Sequence, residues 1–226
     1  MFSPSEALIK QLYHSYRHTS DIDRKGLFFS PTCMQICRPI PSYAATSRTG
    51  IVKYLNDAQV GDVPVADAAP PSKIPTAMSE EDENVVARKP LATAQTEIKK
   101  DEPHKTGDNE KPKSRDVYTI RPLHTAEHEF SVNTITAPVG LTPAQLLQKS
   151  KDEAWIGMRV DLWTDGAPDE GLLVKVQYWW RKEAIKSGEK IEGDEGGKGW
   201  MQCLHDIMYL GPKDGSEGEE GLEVME

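Results

Sequence analysis

The 226-residue chain has little of what marks several large classes of protein. Its three cysteines are too few for a closed disulfide set, which predicts a reducing, cytoplasmic compartment. No apolar run approaches the roughly 20 residues that a membrane-spanning helix needs, so no membrane partner is predicted. The net charge is −9 without a basic stripe, which argues against a nucleic-acid partner. The sequence also has no glycine-rich phosphate-binding loop and no Gly-x-Ser-x-Gly motif of serine hydrolases. No cofactor or metal is predicted.

Aromatic residues are missing from residues 59–115, which carry seven prolines and twenty charged side chains. Such a segment buries too little apolar surface to offset the entropy of ordering it. We predict a disordered insert here, and a phosphorylated or partner-binding segment around Ser79 is the alternative. The insert separates two parts of one domain, residues 1–58 and 116–211. Residues 212–226 hold six acids and one lysine and are predicted to form an acidic tail.

Helices are predicted near the N-terminus. Ser3 and Glu6 form a capping box, with a proline at the first helical position. The following helix has an apolar stripe that consists of Leu8, Ile9, Leu12 and Tyr16. Further elements are predicted as a short helix from Ser20 to about Leu27, a strand at Thr32–Ile36, a helix at Thr49–Leu55 and, after the insert, a capped helix at Thr142–Lys149.

Strands dominate the second half of the chain. Three long segments alternate between apolar and polar residues, at Trp155–Thr164, Leu172–Arg181 and Trp200–Tyr209. Shorter strands are predicted at Asp116–Arg121 and Glu129–Thr136. Alternation indicates an antiparallel sheet with one covered face, and helices followed by strands predict the α+β class.

This layout resembles the NTF2-like superfamily, in particular its SnoaL-like branch, over about two thirds of the chain. The resemblance is carried by the segments Glu6–Tyr16 and Asp21–Phe29, by the strand at Thr32–Ile36 and by a third helix, Arg48–Leu55, with its Gly-x-x-x-x-Leu pattern. It is also carried by Gly199–His205, where a Gly and a Trp open the last strand. It implies a cone, in which a curved, mixed or antiparallel sheet wraps around the N-terminal helices and encloses a pocket. The long insert and the helix at Thr142–Lys149 depart from the family pattern.

Members of that superfamily include dehydratases, ketosteroid-type isomerases, polyketide cyclases and inert binding or assembly modules. The resemblance therefore implies two functions for this chain. One is a cofactor-independent lyase or isomerase acting on a small hydrophobic carbonyl compound. The alternative is a non-catalytic module that binds a ligand or dimerises.

His205 is the predicted proton-transfer residue, because it lies on a strand face with apolar neighbours. Tyr178 and Tyr16 are predicted to hydrogen-bond a substrate oxygen as negative charge develops on it. Cys203 shares the face of His205, and Cys203 and Asp206 are the two predicted ligand-binding residues. If Trp200 turns toward the pocket instead, strict alternation puts Asp206 inside and His205 outside. The simpler interpretation of His205 and both tyrosines is a role in core packing.

Two further residue patterns bear on metal binding and on assembly. His124-Thr-Ala-Glu-His128 matches a zinc pattern of inverted metalloproteases, but Pro122 and a strand pattern surround it, so a polar turn is the better interpretation. Trp163 and Trp179 lie on a strand face that is otherwise polar, which predicts a homodimer through the outer face of the sheet. The other predicted partner is a small hydrophobic molecule.

Overall fold

The computed structural model describes residues 2–60, 115–165, 172–184, 197–216 and 223–225. The greater part of the predicted insert, residues 61–114, lies outside the described residues, and that prediction is not tested. Among the described residues, no helix is long and apolar enough to cross a membrane.

The helices are α1 (Pro4–His18), α2 (Ile22–Gly26), α3 (Arg48–Val60), α4 (Asn133–Thr136) and α5 (Pro143–Asp152). The capping box of α1 is present, because the Ser3 hydroxyl accepts from the Glu6 amide and the Glu6 carboxylate accepts from the Ser3 amide at 2.6 Å. Thr142 and Gln145 form the second capping box, on α5. The cap of α2 is Asp21 and not Ser20 as predicted, since a carboxylate oxygen of Asp21 accepts from the Arg24 amide at 2.8 Å.

The strands are β1 (Phe29–Cys37), β2 (Arg115–Pro122), β3 (Ile156–Asp165), β4 (Leu172–Ala184), β5 (Lys198–Pro212) and β6 (Glu223–Met225). They form one sheet in the order β1-β5-β4-β3-β2-β6. β1 runs parallel to β5 and the other pairs are antiparallel, so the sheet is mixed. Part of the predicted acidic tail is therefore a short edge strand. The predicted α+β class is confirmed, and the arrangement is consistent with the NTF2-like cone.

One face of the sheet packs against the N-terminal helices. Ile9, Leu12 and Tyr13 of α1 are buried there together with Ile51 of α3. The sheet contributes apolar side chains that include Phe29, Met158, Val160, Val176, Tyr178, Trp180 and Ile207. The apolar stripe read from the sequence of α1 is thus the side that meets the sheet.

The predicted strand at Glu129–Thr136 is wrong, because the chain has no regular structure before Asn133, where α4 begins, and a 3-10 turn follows at Ala137–Val139. Its apolar residues cover the second face of the sheet. Phe130 lies 5.2 Å from Trp179 between ring centroids, and Ile135 joins the same cluster. Leu146 of α5 is fully buried in this cluster as well. The prediction of one covered face is therefore also wrong at this end of the sheet.

Trp179 does not lie on an open contact surface. Only 1% of its surface is exposed, and the rings of His128, Phe130 and Trp155 pack around it. Trp163 is half-buried. The segment between β2 and β3 thus buries one of the two tryptophans on which the homodimer prediction depended, and the homodimer itself stays a prediction.

Gly157 of β3 leaves no space for a side chain beside Leu123 and Trp179. A Cβ atom at this position would stand 2.3 Å from Cδ1 of Leu123 and 3.1 Å from Cε3 of Trp179. We expect Gly157→Ala to lower the free energy of unfolding by about 1–3 kcal/mol, the usual cost of overpacking. Urea denaturation measures it. In combination with Leu123→Ala, which opens the space, Gly157→Ala should cost less than it does alone. Strictly additive costs would show that the two positions do not contact.

Candidate functional site

Two β-bulges in β5 decide which of its side chains face the helices. Trp180 pairs with Gln202 while Trp179 pairs with Leu204, so Cys203 is an extra residue in the ladder. A second extra residue, Met208, lies between the partners of Lys175 and Val176. Each bulge reverses the alternation of side chains along the strand. For this reason Trp200 and His205, five residues apart, both contact the cluster that faces α1 and α3.

This face holds a cavity of about 290 Å³. Among the described residues, sixteen line this cavity. Ten of them are aliphatic or tryptophan, and they come from α3 and from all strands between β5 and β2. The other six are polar or aromatic with a polar group: Arg17, Gln35, His205 and the tyrosines Tyr16, Tyr54 and Tyr178. Mainly apolar walls with a few convergent polar groups are typical of a small-molecule site.

His205 and Tyr178 are directly paired neighbours on β5 and β4. Their rings meet edge to face with centroids 4.8 Å apart, and the Phe29 ring lies 5.1 Å from the imidazole on another side. Burial lowers the pKa of His205 from 6.5 to about 3, so its imidazole is neutral at pH 7. The structure therefore brings together the predicted proton-transfer residue and one predicted hydroxyl.

Gln202 is the hydrogen-bond partner of that imidazole. Nε2 of His205 lies 2.6 Å from the side-chain amide of Gln202, so one ring nitrogen is already engaged within the protein. The neutral ring keeps Nδ1 for a further hydrogen bond. Sequence reasoning missed Gln202, because strict alternation put it on the opposite face from His205.

The tyrosines of the site are weak acids. Burial raises the pKa of Tyr16 and of Tyr178 above the usual value, so both hydroxyls stay protonated. Burial likewise raises the pKa of Tyr54 to about 12. These groups are suited to donate hydrogen bonds to an oxygen, not to exchange protons near pH 7.

Tyr13 joins the two tyrosines that the sequence singled out. Its ring centroid lies 5.7 Å from that of Tyr16 and 5.0 Å from that of Tyr178. Its hydroxyl is buried without a hydrogen bond of normal geometry among the described residues. The signal was present in the sequence, because Ile9, Tyr13 and Tyr16 have the i, i+4, i+7 spacing of one helix face. Tyr54, Gln35 and Arg17 carried no comparable signal.

Neither predicted ligand-binding residue lines the cavity. Cys203 is the bulge residue, and its thiol packs in the cluster on the second face, where burial raises its pKa. Asp206 is fully buried and receives two hydrogen bonds from the Arg38 guanidinium, at 2.9 and 2.7 Å. A thiol with a raised pKa is a poor nucleophile, and a carboxylate held by an arginine fork is a structural group.

The histidine pair of the zinc pattern does not lie on a helix. Thr125–Glu127 forms a 3-10 turn between the two histidines, as the interpretation of a polar turn predicted. Glu127 accepts two hydrogen bonds from Arg121, at 2.5 and 2.7 Å, and its pKa is lowered to about 2 by these bonds. Among the described residues, no group of three His, Cys, Asp or Glu side chains is placed to hold a metal ion.

Comparison with known families gives one match. The family model described as SnoaL-like domain matches residues 3–226. Searches of curated proteins and of solved structures give no match.

Proposed function

Since the chain belongs to the SnoaL-like domain family, we propose that it binds a small, mainly apolar molecule in the cavity between the N-terminal helices and the sheet. One observation carries the proposal: a cavity of about 290 Å³ with ten aliphatic or tryptophan side chains among the sixteen described residues that line it. Such walls favour an apolar body because the ligand leaves water without losing hydrogen bonds.

The polar groups suit a ligand that carries oxygen. The hydroxyls of Tyr16 and Tyr178 stay protonated and can donate hydrogen bonds, while the neutral imidazole of His205 has one donor and one acceptor nitrogen. A carbonyl oxygen can accept from the donors, and a hydroxyl group can use both kinds of partner. The proposal is thus a ligand with a compact apolar body and at least one such group.

A second candidate is the cofactor-independent lyase or isomerase, of dehydratase or cyclase type. The observation in its favour is the 4.8 Å contact between His205 and Tyr178 inside the cavity. Its weakness is the low basicity of an imidazole with a pKa of about 3, since a general base works best with a pKa near the working pH. Binding is therefore the better supported function, and a cytoplasmic location stays a prediction with it.

Filling the cavity should abolish binding. Val174 lines the cavity and is half-buried, so Val174→Trp places an indole in the ligand's volume. We expect the variant to bind the neutral fluorophore N-phenyl-1-naphthylamine about tenfold more weakly or not at all, a loss of about 1.4 kcal/mol or more. Fluorescence titration measures the dissociation constant of the fluorophore.

The matched control is Val132→Trp, which adds the same side chain at a position that is 65% exposed and outside the cavity. It should leave binding unchanged. Equal affinity in both variants would place the fluorophore elsewhere and contradict the proposal. Recovery of bound carbonyl ligands in a chemically altered form would favour the second candidate over simple binding.

A further inference from the structure

Three polar side chains stand in a row across the helix-facing side of the sheet. His205 of β5 pairs with Gln35 of β1 on one side and with Tyr178 of β4 on the other. All three line the cavity. Neighbouring strands lie about 4.8 Å apart, so one ligand can reach all members of the row. Gln35 therefore belongs to the same polar wall as the two rings, although it comes from a distant part of the chain.

The side-chain amide of Gln35 is held in one orientation. One of its terminal atoms lies 2.8 Å from the backbone carbonyl oxygen of Tyr43, and because a carbonyl oxygen only accepts hydrogen bonds, this atom is the donor Nε2. The main chain of Gln35 is fixed as well, by two hydrogen bonds with Ala45 at 2.8 and 3.0 Å. The free end of the amide is therefore the acceptor Oε1, which the fold positions before any ligand binds.

This acceptor lies in a buried side chain and has no donor. Only 2% of the Gln35 surface is exposed. Among the described residues, no group donates a hydrogen bond to Oε1, and Oε1 is not one of the polar atoms that lack both a partner and any accessible surface. The accessible space that Gln35 lines is the cavity. A buried acceptor without a donor is unfavourable, so a ligand that brings a donor to this point gains affinity.

We propose that Gln35 determines the specificity of this cavity, and that the ligand carries a hydroxyl group that donates a hydrogen bond to Oε1 of Gln35. The inference rests on the proposed function and decides between the two oxygen groups that suit the cavity. An alcohol or phenol supplies a donor, whereas a ketone or ether oxygen only accepts and gains nothing at Oε1. The hydroxyl oxygen also keeps lone pairs for a donor such as Tyr178.

The test compares 2-naphthol with 2-fluoronaphthalene, which has nearly the same shape and no hydrogen atom to donate. Calorimetric titration of the full chain at pH 7 gives the ratio of the two dissociation constants, first for the unmodified protein and then for Gln35→Met, which removes Oε1 and keeps the length of the side chain. The variant should shift this ratio about five- to tenfold toward the fluoro compound, because a neutral hydrogen bond contributes about that factor. Comparing ratios cancels the different hydration of the two probes.

Gln177→Met is the matched control. Gln177 is 3% exposed, and its Nε2 donates to the backbone carbonyl of Glu127 at 3.1 Å, as that of Gln35 does to Tyr43. It lies outside the cavity lining, so its replacement repeats the structural loss without changing the cavity. The ratio of the two dissociation constants should stay unchanged in this variant.

A ratio that is the same in the unmodified protein and in Gln35→Met would overturn this inference and leave the proposed function intact, and so would an equal shift in Gln177→Met. Failure of both probes and of the neutral fluorophore to bind would instead refute the proposed function and this inference with it. If Gln35→Met does not fold, the NMR resonance of the Gln35 amide carbon in the unmodified protein decides the matter. It should move further downfield with 2-naphthol than with 2-fluoronaphthalene, because a hydrogen bond deshields a carbonyl carbon, and equal shifts would overturn the inference.

Discussion

Replacing Arg38 with methionine is expected to lower the free energy of unfolding by about 3 kcal/mol. Asp206 is fully buried, and Arg38 contacts both of its carboxylate oxygens, at 2.9 and 2.7 Å. Loss of the guanidinium leaves a buried carboxylate without its partner, for which the typical cost is about 3–5 kcal/mol. The low end applies here because the Arg38 side chain is 30% exposed, so water partly replaces it. Urea denaturation, evaluated with a common slope, measures the difference.

The double variant Arg38→Met with Asp206→Leu separates a charge effect from a packing effect. Replacing both members of a buried pair with apolar residues is often close to neutral, so the double variant should recover most of the loss. Lys53→Met is the control for an exposed pair, since the Lys53 side chain is 76% exposed in its contact with Asp57, and it should cost about 0.5 kcal/mol or less. A double variant as unstable as the sum of both single variants would contradict this account.

The second large effect is expected on acidification. The pKa of His205 is lowered by burial from 6.5 to about 3, so below pH 6.5 the unfolded chain binds a proton that the folded chain does not. The stability that the neutral ring contributes is therefore present above pH 6.5 and is lost as the pH falls toward 3. The slope approaches about 1.4 kcal/mol per pH unit, and the total loss is about 5 kcal/mol.

His205→Leu removes the titrating group and should flatten this slope. Between pH 6.5 and 4.5 the unmodified protein should lose about 2–3 kcal/mol more than the variant, measured by urea denaturation across that range. Glu127 adds acid sensitivity only at lower pH, because its pKa is lowered from 4.5 to about 2. His14 has a modestly lowered pKa and is controlled with His14→Gln. Imidazole resonances of His205 that titrate near pH 6.5 would contradict the prediction.

The same pKa bears on the choice between the two candidate functions. A neutral imidazole that is hydrogen-bonded to Gln202 keeps one protonation state over the physiological pH range. The hydroxyls of Tyr16 and Tyr178 likewise stay protonated over this pH range. The site is therefore better equipped to recognise an oxygen-bearing ligand than to move its protons.

The sequence alone predicted elements whose signals are local. The capping box of Ser3 and Glu6 and the apolar stripe after it were sufficient for α1, because both depend on residues within a few positions of one another. Alternation identified β3, β4 and β5, and the order of elements led to the family. The pairing of His205 with Tyr178 was also within reach, since both followed from strands that were correctly located.

Local signals failed where a segment packs on the sheet instead of joining it. Glu129–Thr136 has strand-like apolar spacing, but Phe130 and Ile135 cover the second face, near Trp179. An apolar side chain can be buried in a strand of the sheet or in a segment that packs on the sheet. The apolar pattern therefore does not distinguish a sheet strand from a covering turn. Because the same segment covers Trp179, this residue lies in the core and not on a contact surface as predicted.

The tertiary structure alone decided which side chains of the last strand face the helices. Strict alternation made the orientations of Trp200 and His205 mutually exclusive, yet the extra residue Cys203 lets both face the helices and sends Asp206 to Arg38 on the other side. A bulge arises from the way in which two strands pair. The sequence of one strand does not specify its register with the partner strand. The chain by itself therefore determined the family and the class of fold, and it singled out the rings of His205 and Tyr178 without deciding which way His205 faces. The register between β4 and β5 determined which polar groups stand beside those rings, because the arrangement of side chains across a sheet is a property of paired strands.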